Sequence, residues 1–171
     1  MDTLYQQEKK EKKINKGLLA AIGVAVLVVV ALIGFWAMIP SKQEVKQQVL
    51  EGAYREGSPE FKALNNRIII FNDKENTMES PTALGTISMF VRGSIRNNSD
   101  KTISALEIKV GVLDPFDKII KEKTMTVVPT QNGDLLAPQQ VMPVNVPIEG
   151  FAKEDDRARV QWKVTAIKVQ P

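Results

Sequence analysis

The chain has 171 residues, with 23 basic and 20 acidic side chains, a formal net charge of +3, and neither cysteine nor histidine. The two missing residue types exclude disulfides, thiolate chemistry, histidine-based catalytic triads and the usual zinc ligand sets. Residues 40–171 carry 18 basic against 17 acidic side chains, so this part lacks the basic surface on which nucleic-acid binding depends.

The first predicted element is an apolar run from Gly17 to Ile39. Its 23 residues include no charged, amide or hydroxyl side chain, and a helix of that length measures about 34 Å, enough to cross a hydrocarbon core of about 30 Å. Five lysines lie within residues 9–16, which predicts a cytoplasmic N-terminus and an exported C-terminal part. The run is longer than the apolar region of a signal peptide and lacks a small-x-small cleavage site, so we expect an uncleaved anchor. A secreted domain released by cleavage is the alternative.

The remaining segments divide by composition and patterning. Residues 1–16 are polar and predict a cytoplasmic stub, residues 17–39 the transmembrane helix, residues 40–66 a short helical neck, and residues 67–171 a β domain. The changes from an apolar run to short helical patterns, and then to alternation, place these boundaries.

Two helix starts are readable in the neck. Ser41 and Glu44 form a capping box for a helix that we expect to reach about Arg55. Ser58 is placed to cap a second, shorter helix with Pro59 at its first position.

Period-two alternation dominates the chain from Thr86 onward. Half-buried strands joined by short turns, without intervening helices, predict a mainly β fold, an antiparallel sandwich of six to seven strands. Residues 73–81 are polar and predict a loop, and the phase change near Ala166 predicts a bulge. The predicted strands cover residues 67–71, 86–96, 106–112, 118–128, 141–148 and 158–169, with Leu135 and Leu136 as a seventh.

Two prolines indicate where the strand of residues 141–148 lies in its sheet. Pro143 and Pro147 share one phase, so both delete backbone donors along the same margin. This pattern predicts an edge strand whose bare margin faces solvent and resists edge-to-edge pairing.

The segment containing Gly93, Ile95 and Asn97, followed by alternating residues up to Asp114, resembles the FxLYD-type domain of bacterial envelope proteins. Aliphatic residues replace the aromatics of the namesake motif, and the later turn of the family is matched by residues 136–139. The resemblance implies an immunoglobulin-like sandwich, often tethered to a membrane and without an assigned activity. It implies no catalytic residue.

Chemical sites are weakly indicated. The acidic groupings at Asp73, at Asp114 and in residues 154–156 lack the spacing of a calcium loop, so we interpret them as turn-forming or solvated acids. A metal-dependent hydrolase is the alternative function, and the lack of histidine argues against it. No cofactor, small-molecule substrate or nucleic-acid partner is predicted, and we expect a protein that is not an enzyme.

The expected function is that of a binding or assembly module. The chain would be a single-pass protein of a bacterial cytoplasmic membrane, with its domain in the periplasm or outside the cell, serving as an accessory subunit of a larger complex. Its partners would be the lipid bilayer and another membrane or envelope protein. Phe90, Leu113 and Phe116 fall outside the predicted core phase, so they are the candidate docking residues.

Overall fold

A computed structural model describes residues 16–38, 42–130 and 132–170. The chain divides into two compact units, Met1–Glu44 and Val45–Pro171. In the first unit, helix α1 spans Lys16–Met38, and the structure describes its side chains at residue 17 and residues 22–36. A search of the described residues finds no helix long and apolar enough to cross a membrane. The anchor from Gly17 to Ile39 therefore stays a prediction, and Ile39 lies outside the described residues.

Helix α2 spans Lys42–Val49 and ends before the predicted limit at Arg55. The chain turns instead at Gly52, whose φ of 72° lies in the left-handed region that glycine favours. The capping role predicted for Ser41 lies outside the described residues. Helix α3 spans Pro59–Asn65 and begins as predicted, because the Ser58 hydroxyl accepts a hydrogen bond of 3.1 Å from the backbone N–H of Phe61.

Within the described residues, seven strands form two antiparallel sheets, an arrangement compatible with a β-sandwich and with the mainly β prediction. The prediction of a strand at Leu135 and Leu136 is wrong, because only an isolated bridge joins Leu136 to Ile103, and the additional strand lies at Tyr54–Arg55 in the predicted neck. A four-stranded sheet has the order β1-β7-β4-β5 and a three-stranded sheet the order β2-β3-β6. The strands are β1 (Tyr54–Arg55), β2 (Ile68–Pro81), β3 (Ile87–Asn97), β4 (Ile103–Leu113), β5 (Ile119–Val128), β6 (Val141–Phe151) and β7 (Arg159–Val169).

One hydrophobic core takes side chains from both sheets. Alternation places Val91 and Ile95 of β3 and Val146 of β6 fully inside, where they meet Ile108 and Val110 of β4. Period-two patterning therefore gives the correct inward face on these strands, since successive side chains of a strand point to opposite sides.

Trp162 of β7 and Gly93 of β3 bring the two sheets close together. A Cβ at position 93 would lie 3.0 Å from Cζ2 of Trp162 and 2.7 Å from the carbonyl oxygen of Phe71. Glycine at this position therefore leaves the space that the indole ring occupies, and Trp162 itself is half-buried.

Strand β6 is an edge strand, as its prolines predict. Among the described strands it pairs with β3 alone, with Pro143 opposite Ser94 and Pro147 opposite Phe90. The predicted bulge near Ala166 is also confirmed, because pairing steps from Ala166 to Val164 and leaves out Thr165.

The prediction of a loop at residues 73–81 is wrong. These residues continue β2, which breaks register between Asp73 and Met78 and then pairs again with β3. Their side chains are mostly exposed at a sheet edge. Such a segment needs no apolar alternation, because backbone pairing with β3 supplies its hydrogen bonds.

Candidate protein-docking surface

The outer face of the three-stranded sheet, the side turned away from the core, carries exposed apolar side chains. Ile69 is 38% exposed, Phe71 52%, Met78 51% and Val141 52%. Single exposed apolar residues are ordinary, whereas a contiguous group marks a surface that another molecule covers.

Cross-strand pairing gives the arrangement of this face: the four exposed apolar residues lie on the flanking strands β2 and β6, with outward side chains of β3 between them. Side chains opposite one another on adjacent strands have Cβ atoms about 4.5–5.5 Å apart, so each row across the sheet is in contact. We call this set the outer face. Its rows from β2 through β3 to β6 are Ile69 with Arg96 and Val141; Phe71 with Ser94 and Pro143; Asp73 with Arg92 and Asn145; and Met78 with Phe90 and Pro147.

The charged residues of the outer face are two arginines and one aspartate. Nη2 of Arg96 donates a 3.0 Å hydrogen bond to Oε1 of Gln139. Asp73 accepts hydrogen bonds from the backbone and side-chain nitrogens of Asn76. Within the described part of the chain, neither Arg92 nor Arg96 takes part in an ion pair. The face is therefore apolar with a positive excess.

The structure separates the three predicted docking residues. Phe90 belongs to the outer face and is half-buried between Met78 and Pro147. Phe116 is 88% exposed in the turn between β4 and β5.

The expectation that Leu113 is available for docking is wrong, since it is only 8% exposed. Pairing of β4 with β5 shifts register between Val112 and Leu113, so two consecutive side chains are buried where strict alternation would expose one.

One end of the outer face of the four-stranded sheet is covered by the chain itself. Residues 45–53, which we call the covering segment, place Leu50 against Ala105 of β4 and Ala166 of β7. All three side chains are buried. The two alanines are small enough to leave room for the leucine.

A buried carboxylate supports the same contact. Lys46 of the covering segment forms an ion pair with Glu107 of β4, and the Thr165 hydroxyl donates a 2.8 Å hydrogen bond to Oε1 of Glu107. Burial opposes ionisation of Glu107. The hydrogen bonds from Lys46 and Thr165, together with the charges of Lys46 and Arg55, outweigh it and hold the pKa of Glu107 below its ordinary value.

The acidic groupings of the sequence act in turns. Asp114 accepts backbone N–H bonds from Phe116 and Lys118, and Asp155 accepts one from Ala152. In the parts of the chain that the structure describes, no group of three or more acidic side chains is placed to hold a metal ion.

A cavity of about 620 Å³ lies near α3, the β3–β4 turn and residues 138–139. Its charged lining residues have both signs: Glu60 and Asp100 against Arg67 and Lys101. It therefore presents no net charge to select a ligand.

Sequence reasoning missed most of the outer face. The run Ile68-Ile69-Ile70-Phe71 is apolar at every position, so periodicity alone assigned neither phase to the core. The available signal was the pairing partner, because Ile69 and Phe71 lie opposite Arg96 and Ser94, which the alternation of β3 had already placed outward.

No protein-family model, no curated protein and no solved structure matches this chain. The similarity to FxLYD-type domains thus stays a prediction from the motif residues.

Proposed function

We propose that the chain is a single-pass protein of a bacterial cytoplasmic membrane whose exported, immunoglobulin-like β domain docks to another membrane or envelope protein. In this role it is an accessory subunit that binds and assembles, without catalysis. The observation that carries the proposal is a contrast between the two outer faces: the covering segment buries the apolar side chains of one face, whereas no described residue covers the exposed apolar side chains of the other.

The anchor is supported by the composition of α1. Residues 22–36 are entirely apolar. A helix that is apolar on every side needs a non-aqueous neighbour, which a bilayer supplies. The lysines that precede residue 17 favour retention of the N-terminus in the cytoplasm.

The chemistry of the outer face defines the partner. Phe71 and Met78 on β2 and Val141 on β6 need apolar groups to cover them, and Arg92 and Arg96 on the central strand β3 favour acidic side chains between those groups. The partner is therefore a protein surface with acidic groups at its centre and apolar groups on either side.

The docking test introduces a charge on the outer face at Met78, which is 51% exposed. In the full chain, extracted in mild detergent, Met78→Asp is expected to release the protein from a larger complex on a native gel. Gln161→Asp is the control, because Gln161 is exposed on β7 of the other sheet. Wild-type protein that migrates alone would end the complex-subunit proposal, and a Met78→Asp variant that loses its β circular dichroism would show that Met78 is needed for folding instead.

The anchor is tested separately by topology. Protease added to spheroplasts is expected to digest residues 40–171 and to leave an N-terminal tag protected. Digestion of the tag with protection of the domain would show that the orientation is the opposite one. Full-length protein in the soluble fraction would show that the chain is not anchored.

A further inference from the structure

Three of the four sheet edges carry protection against strand addition. Strand β1 is only two residues long, and β6 has Pro143 and Pro147. Strand β5 carries Lys121 and Lys123, and Nζ of Lys123 donates a hydrogen bond of 2.5 Å to the carbonyl oxygen of Pro147. Short strands, prolines and edge lysines are the devices by which proteins prevent edge-to-edge pairing.

The fourth edge, the first half of β2, has none of these devices. Residues 68–73 read Ile-Ile-Ile-Phe-Asn-Asp, without proline, glycine or lysine. In the described part of the chain β2 pairs with β3 alone. We call residues 68–73 the open edge.

The direction of the backbone groups along the open edge follows from the pairing with β3. The N–H of Asn98 donates a 2.8 Å bond to the carbonyl oxygen of Arg67. Hydrogen-bonded and non-hydrogen-bonded pairs alternate along an antiparallel ladder. Residues 69 and 71 therefore bond to β3, while Ile68, Ile70 and Asn72 direct their N–H and C=O groups to the free side.

We infer that the open edge pairs antiparallel with the open edge of a second copy of this chain, about a two-fold axis at Ile70. Residue 68 of one copy then lies opposite residue 72 of the other, and the two Ile70 residues lie opposite each other. All three outward-directed residues form hydrogen-bonded pairs in this register. Shifting the axis by one residue in either direction leaves only two such pairs within the open edge.

The side chains agree with this register. Ile69 lies opposite Phe71 of the second copy, which joins two exposed apolar residues on the same face of the combined sheet. Arg67 lies opposite Asp73, and the two-fold axis repeats this opposite-charge pair at the other end. A carboxylate has about four acceptor positions, so Asp73 keeps capacity for Arg67 beside its bonds to Asn76.

The second copy is thus selected by self-complementarity of both charge and backbone direction, which an isologous interface requires. The product is a six-stranded sheet across two copies that makes their outer faces continuous. This pairing uses the edge of the sheet, so it does not depend on the docking of another protein to the outer face.

The absence of cysteine allows a direct test of the register. Two differently tagged full-length chains, Ile69→Cys and Phe71→Cys, are mixed in mild detergent and gently oxidised. In the inferred register these positions form a non-hydrogen-bonded pair with Cα atoms about 4.5 Å apart, within disulfide range. The mixed disulfide is expected to exceed by about tenfold the yield from Val141→Cys with Asn145→Cys, the control pair on the proline-protected edge. Equal yields, or cross-links to a different protein in membranes, would overturn the inference.

Charge reversal provides the second arm. Arg67→Glu is expected to raise the dimer dissociation constant about tenfold, because it places like charges opposite each other at both ends. Combining Arg67→Glu with Asp73→Lys in one chain is expected to return that constant close to the wild-type value. Energy transfer between labelled full-length copies measures it, and circular dichroism checks that each variant is folded. A double variant that associates no better than Arg67→Glu alone would show that the register is wrong.

Discussion

The two sheets differ in whether the described chain covers the apolar side chains on their outer faces. On the four-stranded sheet, the covering segment buries Leu50 against Ala105 and Ala166 and brings Lys46 to Glu107. On the three-stranded sheet, Phe71 and the other apolar residues of the outer face have no such cover. This difference indicates that a partner binds the outer face of the three-stranded sheet, since an apolar face that the chain does not cover is available to another molecule.

The contact between the covering segment and the four-stranded sheet combines apolar packing with an ion pair. Its apolar contribution is small, one leucine over two alanines, and a charged network accompanies it. Removing Lys46 would leave the buried Glu107 carboxylate without its ion-pair partner, a costly change for a buried charge. The covering segment is therefore part of the stability of the domain, although it precedes the strands in sequence.

Truncation should produce the largest difference between the faces. A fragment of residues 42–171 keeps the covering segment, whereas a fragment of residues 56–171 loses it together with β1 but retains the Ser58 cap. We expect the shorter fragment to be less stable by about 3–5 kcal/mol, because it exposes the buried alanines and leaves Glu107 without Lys46. Urea unfolding followed by circular dichroism measures the difference, and equal midpoints would show that the cover is dispensable.

Single substitutions compare one apolar side chain from each face. Leu50→Ala should lower the free energy of unfolding by about 2–3 kcal/mol, because Leu50 is 5% exposed. Phe71→Ala should lower it by less than about 1 kcal/mol, because half of that side chain is already in solvent. Similar losses in urea titrations of the two variants would contradict the assignment of one covered and one uncovered face.

Local chemistry made much of the fold predictable. Alternation along β3 and β6 gave the correct inward residues, Ser58 gave a helix start, and Pro143 with Pro147 gave an edge strand. Each of these signals acts within a few residues of its own position. The prediction failed at residues 73–81, where pairing with a distant strand outweighs a polar, loop-like composition.

The candidate surfaces were less predictable for the same reason. The burial of Leu113 depends on a register shift between β4 and β5, and the cover over Glu107 depends on a contact between residues 46 and 107. The open edge of β2 is recognised only when the strand order is known. A single sequence gives the phase of each strand, whereas these features arise from which strands become neighbours.

The smallest expected effect is the pH dependence of the ion pair at the covered face. Glu107 has a pKa below its ordinary value of 4.5 in the folded protein, so its ionised form contributes stability that is complete above that value and is lost as the pH falls through the lower, folded pKa. Glu107→Gln should reduce the free energy of unfolding by about 1–2 kcal/mol at pH 7, because the charged hydrogen bonds are lost. The difference from wild type should shrink as the pH is lowered from 5 to 3.

Glu79 is the comparison: a hydrogen bond from Arg157 also lowers its pKa, but its side chain is 41% exposed, so solvent and salt screen the pair. Glu79→Gln should therefore change the urea midpoint less than Glu107→Gln does, and a Glu107→Gln difference that stays constant over this pH range would mean that its ionisation does not hold the covering segment in place.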